Sequence, residues 1–303
     1  MKHFEELEDL VRERNPGVIA VAAAHDEHVL QSVHAVCKLG YARAILVGDK
    51  EKIFRSADDL ELDISDMTII KELDNQAAAM QAVNLVNNGE AGILMKGQLQ
   101  TAELLKAVLA REQGLRTNRL LSHVGLYELP SYHKLLMVTD AGININPDLQ
   151  QKAKIIENAV EVARHLGIET PKVAVLSAVE LVNPSMQATL DAAALTLMAR
   201  RGQIRNCLVD GPLAMDNAID RQAAWHKHIR SEVAGDADIL LAPDIESGNI
   251  LVKSLVFLAQ ARSCGIITGA RVPLVVTSRA ESSEAKYYAI LLALVLSNEE
   301  KIF

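Results

Sequence analysis

Short apolar runs alternate with longer amphipathic stretches along the whole chain. Residues 18–24 are a short, continuously apolar run that predicts a buried strand, and 42–48, 67–72 and 91–96, short and centred on apolar residues, predict the next strands. Between them, 26–39, 50–60, 75–88 and 101–111 carry helical spacing, after an opening amphipathic helix over 4–14. Gly40 and Gly89 stand just past two of these helices, where a left-handed C′ residue is favoured. The rhythm breaks at 120–139, where runs 120–127 and 134–139 flank Leu129-Pro130-Ser131 in a hairpin pattern. Alternation then resumes. Asn146-Pro147 predicts an N-cap with Pro at N1 and a helix running to Leu166. Strands follow at 173–177, 207–210 and 239–242, with helices over 184–201, 249–263 and most of 212–229. Finally, the run 272–276 delivers Thr277, Ser278 and Arg279 into a mostly apolar helix over 281–297.

Apolar strands between amphipathic helices predict an α/β fold of mostly parallel sheets covered on both faces. The break near 120–139 is the expected crossing between two α/β domains. Residues 1–137 with 277–303 would form a discontinuous first domain and 138–276 the second. Ligands of such sheets bind beyond the carboxyl ends of the strands, so the residues that follow each strand are the candidates. They are His25; Lys96 and Gly97, with Thr101 opening the next helix; Thr139 and Asp140; Ser177; Asp210 and Gly211; Glu246, Gly248 and Asn249; and Ser278 with Arg279.

Composition narrows the partners. Half of the 303 residues are hydrophobic, enough for a large core. A formal net charge of −8 without a basic run argues against nucleic acid or an anionic membrane as partner. At 3 % aromatics, a base-stacking platform is hard to build. Cys37, Cys207 and Cys264 are scattered and form no CxxC, which fits thiols in a reducing cytoplasm. The charged N-terminus does not read as a signal peptide, and no apolar run is long enough to span a bilayer. A cytoplasmic protein is expected.

Each candidate has a plain structural alternative. Lys96-Gly97 before Thr101 is either a ligand turn or an ordinary βα turn with Thr101 as cap. GxGxxG is absent, and Gln98 stands where a phosphate loop needs Lys. Asp216 and Asp220, four apart, are either Mg²⁺ ligands or a solvated acidic face. Asp210-Gly211-Pro212 and 243–249 are loops with carboxylates, where turn chemistry is the alternative. His25 and His123 sit near strand ends and are either structural or cleft-facing. Ser278-Arg279 carries the sharpest expectation: a strand feeding a helix N-terminus beside a guanidinium fork is an anion site, with N-capping by Ser278 as the alternative.

Stretches spread over essentially the whole chain then carry a likeness. VAAAHDEHVLQSV, YARAILVGD, ILMKGQLQTAELLKAVL, GLRTNRLLSHV, SAVELVNPSMQATLDAAALTLMARRGQI, VDGPLAMDNAI, GDADILLAPDIESGN and VPLVVTSRAESSEAK together resemble the phosphate acetyl/butyryl transferase family, most of all its butyryl branch. The resemblance implies two α/β domains of the isocitrate-dehydrogenase-like kind around a cleft, in dimers or larger homo-oligomers. It implies reversible transfer of a short-chain acyl group between CoA and phosphate, with butyryl or branched-chain acyl favoured. Coenzyme A is then a substrate, and no cofactor or metal is held permanently. The family's Ser-Arg pair matches Ser278 and Arg279. The position of its proposed thiol base falls near Glu284 or Ala285, which makes Glu284 the candidate. Lys106 stands where the acetyl branch carries an arginine. The expected mechanism is direct attack in a ternary complex. A metal- and NAD-dependent decarboxylating dehydrogenase of the same fold, using Asp216 and Asp220, is the rival enzyme. A non-catalytic acyl-CoA-binding protein is the third reading.

Overall fold

A computed structural model describes residues 1–278 and 281–297. In chain order the elements are α1 (Glu5–Arg12), β1 (Gly17–Ala22), α2 (Glu27–Lys38), β2 (Ala42–Gly48), α3 (Lys50–Asp59), β3 (Thr68–Lys71), α4 (Asn75–Asn87), β4 (Ile93–Lys96) and α5 (Thr101–Val108). Then come β5 (Ser122–Glu128), β6 (Leu136–Thr139), α6 (Leu149–His165), β7 (Lys172–Leu176), α7 (Gln187–Arg200), β8 (Leu208–Leu213), α8 (Met215–Ile219) and α9 (Arg221–His226). The chain closes with β9 (Ile239–Leu241), α10 (Ile245–Phe257), β10 (Arg262–Thr268), β11 (Leu274–Val275) and α11 (Ser283–Leu296).

The chain divides into two compact units. The first is Glu5–Arg119 with Cys264–Phe303, and the second is Met1–Phe4 with Leu120–Ser263. This division falls where the rhythm breaks at Leu120, while the sequence reading places the boundaries at 137/138 and 276/277. The β5–β6 antiparallel pair stays together in the second unit, and β10 is almost wholly in the first.

In the first unit the strand order is β3-β2-β1-β4-β11, every neighbour parallel, with β10 antiparallel on β11. Ile19, Val21, Leu94 and Met95 are fully buried, which is why these strands read as unbroken apolar runs. Helix α11 packs on α1 and α2 and buries Ala285, Tyr288, Ile290, Leu291 and Leu292. Its apolar character on most sides follows from that setting. Aspartates open α2, α3 and α4: Asp26, Asp49 and Asp74 each accept from a backbone N–H three residues on.

In the second unit the order is β5-β6-β9-β7-β8, antiparallel between β5 and β6 and parallel elsewhere. Its core gathers Leu136, Val138, Ala174, Leu213, Ala218 and Leu240.

Four expectations change. The cap of α6 is Asp148, which accepts from Gln151 N–H at 2.8 Å in a capping box, not Asn146. The segment 212–229 is two short helices that share Asp220, C-cap of α8 and N-cap of α9. The expected helix over 249–263 starts earlier and stops at Phe257, and strand β10 follows it. Strand β8 continues through Leu213. It lies at the end of the strand order, where Pro212 removes no ladder donor that an inner strand would need. No helix among the described residues is long and apolar enough to cross a membrane.

Candidate active site

In the first unit, the carboxyl ends of three adjacent strands, β1, β4 and β11, bring candidates together. Val21 and Ala22 pair with Met95 and Lys96, and Met95 pairs with Val275. The residues that follow these ends are His25 and Asp26, Gly97 and Gln98, and Thr277 and Ser278. Arg279 and Ala280 lie outside the described residues, so the expected guanidinium clamp has no described geometry.

The β4 turn is seated on β1. Gly97 N–H donates to Ala22 O at 2.8 Å and Gln98 N–H to Ala23 O at 2.7 Å. A Cβ on Gly97 would stand 2.2 Å from Ala23 O, so only glycine fits, and the close approach it permits is to β1 itself. Ala23 takes a φ of 54°, an uncommon conformation for a residue with a side chain. Lys96 is 5 % exposed, and its Nζ donates to Gly97 O at 3.1 Å and Leu99 O at 3.2 Å, tying its own turn. Thr101 is the first residue of α5, exposed, and the cap is Gln100 in a capping box with Glu103. Lys106 is exposed on the same helix.

The β11 turn is built differently. Ser278 is exposed, and its carbonyl accepts from Glu281 N–H at 3.2 Å and from Lys286 Nζ at 3.0 Å. The N-cap of α11 is Ser282, which accepts from Ala285 N–H at 3.2 Å, so Ser278 stands ahead of the cap and does not serve as it. Glu284 is exposed in the first turn of α11. Thr277 Oγ1 and His25 Nδ1 are buried with no hydrogen-bond partner among the described residues. Buried polar atoms are nearly always satisfied, so these two, at the strand ends on either side of β4, stand out from the rest of the unit. Burial, helped by Lys52, lowers the His25 pKa, which keeps its imidazole neutral at ordinary pH. A cavity of about 470 Å³ lined by Arg14, Arg43, Arg271 and Leu294 lies in this unit away from these residues, around the N-terminal ends of β1 and β11.

In the second unit, Thr139, Asp140, Gly248 and Asn249 come together where β6 and β9 end, with Glu246 in the first turn of the helix that follows β9. Asp140 is 3 % exposed and takes up the amides of its own loop: Gly142 N–H at 2.9 Å, Ile143 N–H at 3.0 Å and Asn144 N–H at 3.2 Å. Asn144 Nδ2 adds a bond of 2.6 Å to the carboxylate and another of 2.9 Å to Leu121 O. Thr139 Oγ1 donates to His123 O at 2.7 Å. Gly248 packs on the Asp140–Ala141 backbone, where an added Cβ would meet Asp140 O at 2.9 Å. Asn249 Nδ2 reaches Ala141 O at 3.4 Å, and Glu246 is exposed. The His123 ring has Nδ1 buried without a partner among the described residues, and burial lowers its pKa against the opposing pull of Asp140.

Asp210 and Gly211 do not join this group. They lie inside β8, with Asp210 paired to Ala174, not past the strand's end. Asp210 Oδ1 accepts from Gly211 N–H at 3.0 Å. The metal-ligand reading of Asp216 and Asp220 meets occupied carboxylates: Asp216 pairs with Lys227 at 3.1 Å, and Asp220 Oδ1 accepts from Ala223 N–H at 2.6 Å. The residue that sequence reasoning passed over is Lys286. The available signal is a lysine set directly ahead of the apolar run from Tyr287 to Leu296.

Known proteins match this arrangement over nearly its full length. The family model described as phosphate acetyl/butaryl transferase matches residues 71–294. A phosphate butyryltransferase of Clostridium acetobutylicum is 44 % identical over 300 residues, covering 99 % of this chain and 100 % of that protein. A phosphate acetyltransferase of Thermotoga maritima is also 44 % identical, over 97 % of this chain and 99 % of its own. Among solved structures, a branched-chain phosphotransacylase from Enterococcus faecalis V583 superposes with a TM-score of 0.81 at 35 % identity, over 92 % of this chain and 98 % of that one. Such agreement in sequence and in fold, over almost all of each partner, leaves one conclusion: the chain belongs to the phosphate acetyl/butaryl transferase family.

Proposed function

We propose that this chain transfers a short-chain acyl group reversibly between coenzyme A and inorganic phosphate, with butyryl or branched-chain acyl groups preferred. The observation that carries this reading is the 44 % identity, across 99 % of the chain, to a phosphate butyryltransferase. The branched-chain phosphotransacylase structure at 35 % identity supports the acyl preference. Each methylene of the acyl chain is worth only about 1 kcal/mol, so the preference is graded.

In the forward direction a phosphate oxygen attacks the thioester carbonyl. The carbonyl π electrons move to oxygen, and the tetrahedral oxyanion then collapses with loss of the CoA thiolate. In reverse the thiol loses its proton and attacks the acyl phosphate, and phosphate leaves. A free thiol has a pKa of about 8.5, so a carboxylate nearby would assist; Glu284 is the proposed base. The Ser278 hydroxyl and amides at the start of α11 are the proposed oxyanion donors, and Arg279 the proposed phosphate clamp. Substrate contacts are proposed for Lys106, Thr101, Glu246 and Asn249, all exposed. Lys96, Gly97, Thr139, Asp140 and Gly248 would then shape the turns beneath them. The reaction is direct, in a ternary complex. The protein is proposed to act in the cytoplasm as a homo-oligomer, a state that light scattering reads directly.

The test is thiol release from a panel of acyl-CoAs, with and without phosphate, in the presence of chelator. Phosphate-dependent release, greatest for four- and five-carbon acyl groups, is expected. Absence of release with every acyl-CoA would overturn the reading, in favour of an acyl-CoA-binding protein if CoA still binds. Loss of activity to chelator with nicotinamide reduction would favour the dehydrogenase.

A further inference from the structure

Lys286 is 2 % exposed, set among the buried apolar positions of α11. Nothing in the packing of that helix asks for a cation. The first turns of a helix repel positive charge, and an interior position penalises it further. Burial lowers the Lys286 pKa, while the carboxylates of Asp26 and Glu281 pull it back up. An apolar side chain of similar length would fill the same space without this opposition.

What the ammonium does is local. Nζ donates to Ser278 O at 3.0 Å and to Glu281 O at 2.9 Å. Ser278 O also accepts from Glu281 N–H at 3.2 Å. Both ends of the turn between β11 and α11 are therefore held on one buried cation. The neighbouring strand repeats the device, with Lys96 Nζ bridging Gly97 O and Leu99 O at 3.1 and 3.2 Å. Charge-assisted bonds to backbone carbonyls in a low-dielectric interior are strong, and they fix direction as well as position.

We propose that Lys286 is a positioning residue for the transfer reaction: by bridging the Ser278 and Glu281 carbonyls it sets the direction in which the Ser278 hydroxyl leaves the end of β11. This inference rests on the reading of the chain as a phosphate acyltransferase with Ser278 at its site. Lys286 touches no substrate. It acts through the backbone that Ser278 shares.

The experiment compares the full-length wild type with Lys286→Met and Lys286→Gln. For Lys286→Met, kcat for phosphate-dependent thiol release from butyryl-CoA should fall by about tenfold or more, since small misplacements of reacting groups are expensive. KM for both substrates should stay within about threefold, and the melting temperature should fall by no more than about 5 °C, the cost of two carbonyls losing their donor. Lys286→Gln, which keeps an N–H donor, should recover part of kcat. Hydrogen exchange should quicken in peptides covering 274–285 and remain unchanged in the sheet core. An unchanged kcat in an active enzyme overturns the proposal. So does a loss of kcat accompanied by a larger drop in melting temperature and faster exchange throughout, because that is a merely structural role. A wild type that releases no thiol sinks the functional reading instead, and the exchange comparison then decides alone whether Lys286 fixes the turn.

Discussion

Two strand ends, one in each unit, look alike in the sequence and behave in opposite ways. After β6 comes Asp140, and after β11 come Thr277 and Ser278. Asp140 is buried, and its carboxylate is taken up by three amides and one side-chain amide of its own loop. Ser278 is exposed, and the anchoring of its turn falls to a lysine eight residues away. In the first case the polar residue builds the loop. In the second, another residue builds the loop and the polar side chain faces outward. A polar residue at a strand end is therefore a candidate for chemistry only once its own turn is held by something else.

The comparison can be broken most forcefully at Asp140. Asp140→Ala strips the loop amides of their acceptor in a buried setting and should lower unfolding free energy by about 3 kcal/mol or more, read by denaturant titration. A stable but inactive Asp140→Ala enzyme would show that the acid serves substrate after all. Gly97→Ala comes next, at about 2 kcal/mol, because its Cβ has no space beside Ala23 O. Full stability there would mean that the β4 turn shifts freely. Ser278→Ala should do the reverse of both. Activity should fall by about tenfold or more, equivalent to about 1.4 kcal/mol of transition-state stabilisation, while unfolding free energy changes by less than about 0.5 kcal/mol. Retention of full acyl-phosphate synthesis by this variant and by Arg279→Ala would remove both from the site.

The smallest effect concerns pH. His123 and His25 both have folded-state pKa values lowered from 6.5, with burial the first cause. The unfolded chain therefore binds more protons, and stability rises with pH across that range. Their contribution is complete above about 6.5, the unfolded value, and is lost as pH falls towards the folded values. The melting temperature should drop on acidification below about 6.5, and His123→Gln should flatten part of that slope. An unaltered slope would remove His123 as a source.

Most of the fold was legible because parallel strands covered on both faces must be continuously apolar, and helices between them must be amphipathic. The failures have equally physical sources. The expected helix over 249–263 takes in only the first two residues of β10, and the rest of that strand goes unassigned because its short apolar run, split by Gly265, has no periodicity of its own. The sequence reading ends β8 at Asp210 because Gly211-Pro212 has the pattern of a turn, yet a strand at the end of the order tolerates what an inner one would not. Asn146-Pro147 looked like a cap, but Asp148 supplies the carboxylate that reaches the Gln151 amide. For the site, sequence pointed to strand ends, and the fold sets those of β1 and β4, and those of β6 and β9, side by side. It could not say which polar side chains turn inward, because that depends on partners such as Asn144 and Lys286, whose contacts only the folded backbone creates.

Thioesters of CoA and acyl phosphates also react with amines, and lysine is the usual protein target. A lysine is open to them only if it can lose a proton and meet the reagent. Lys96 and Lys286, at 5 % and 2 % exposed, each donate two N–H bonds to main-chain carbonyls, which favours the protonated amine and keeps it away from a reagent in solution. The amines that fix the two turns are thus shielded from the very compounds the protein is proposed to handle. Exposed lysines such as Lys106 would take up stray acyl groups first, and the frame of the site would remain chemically unmarked.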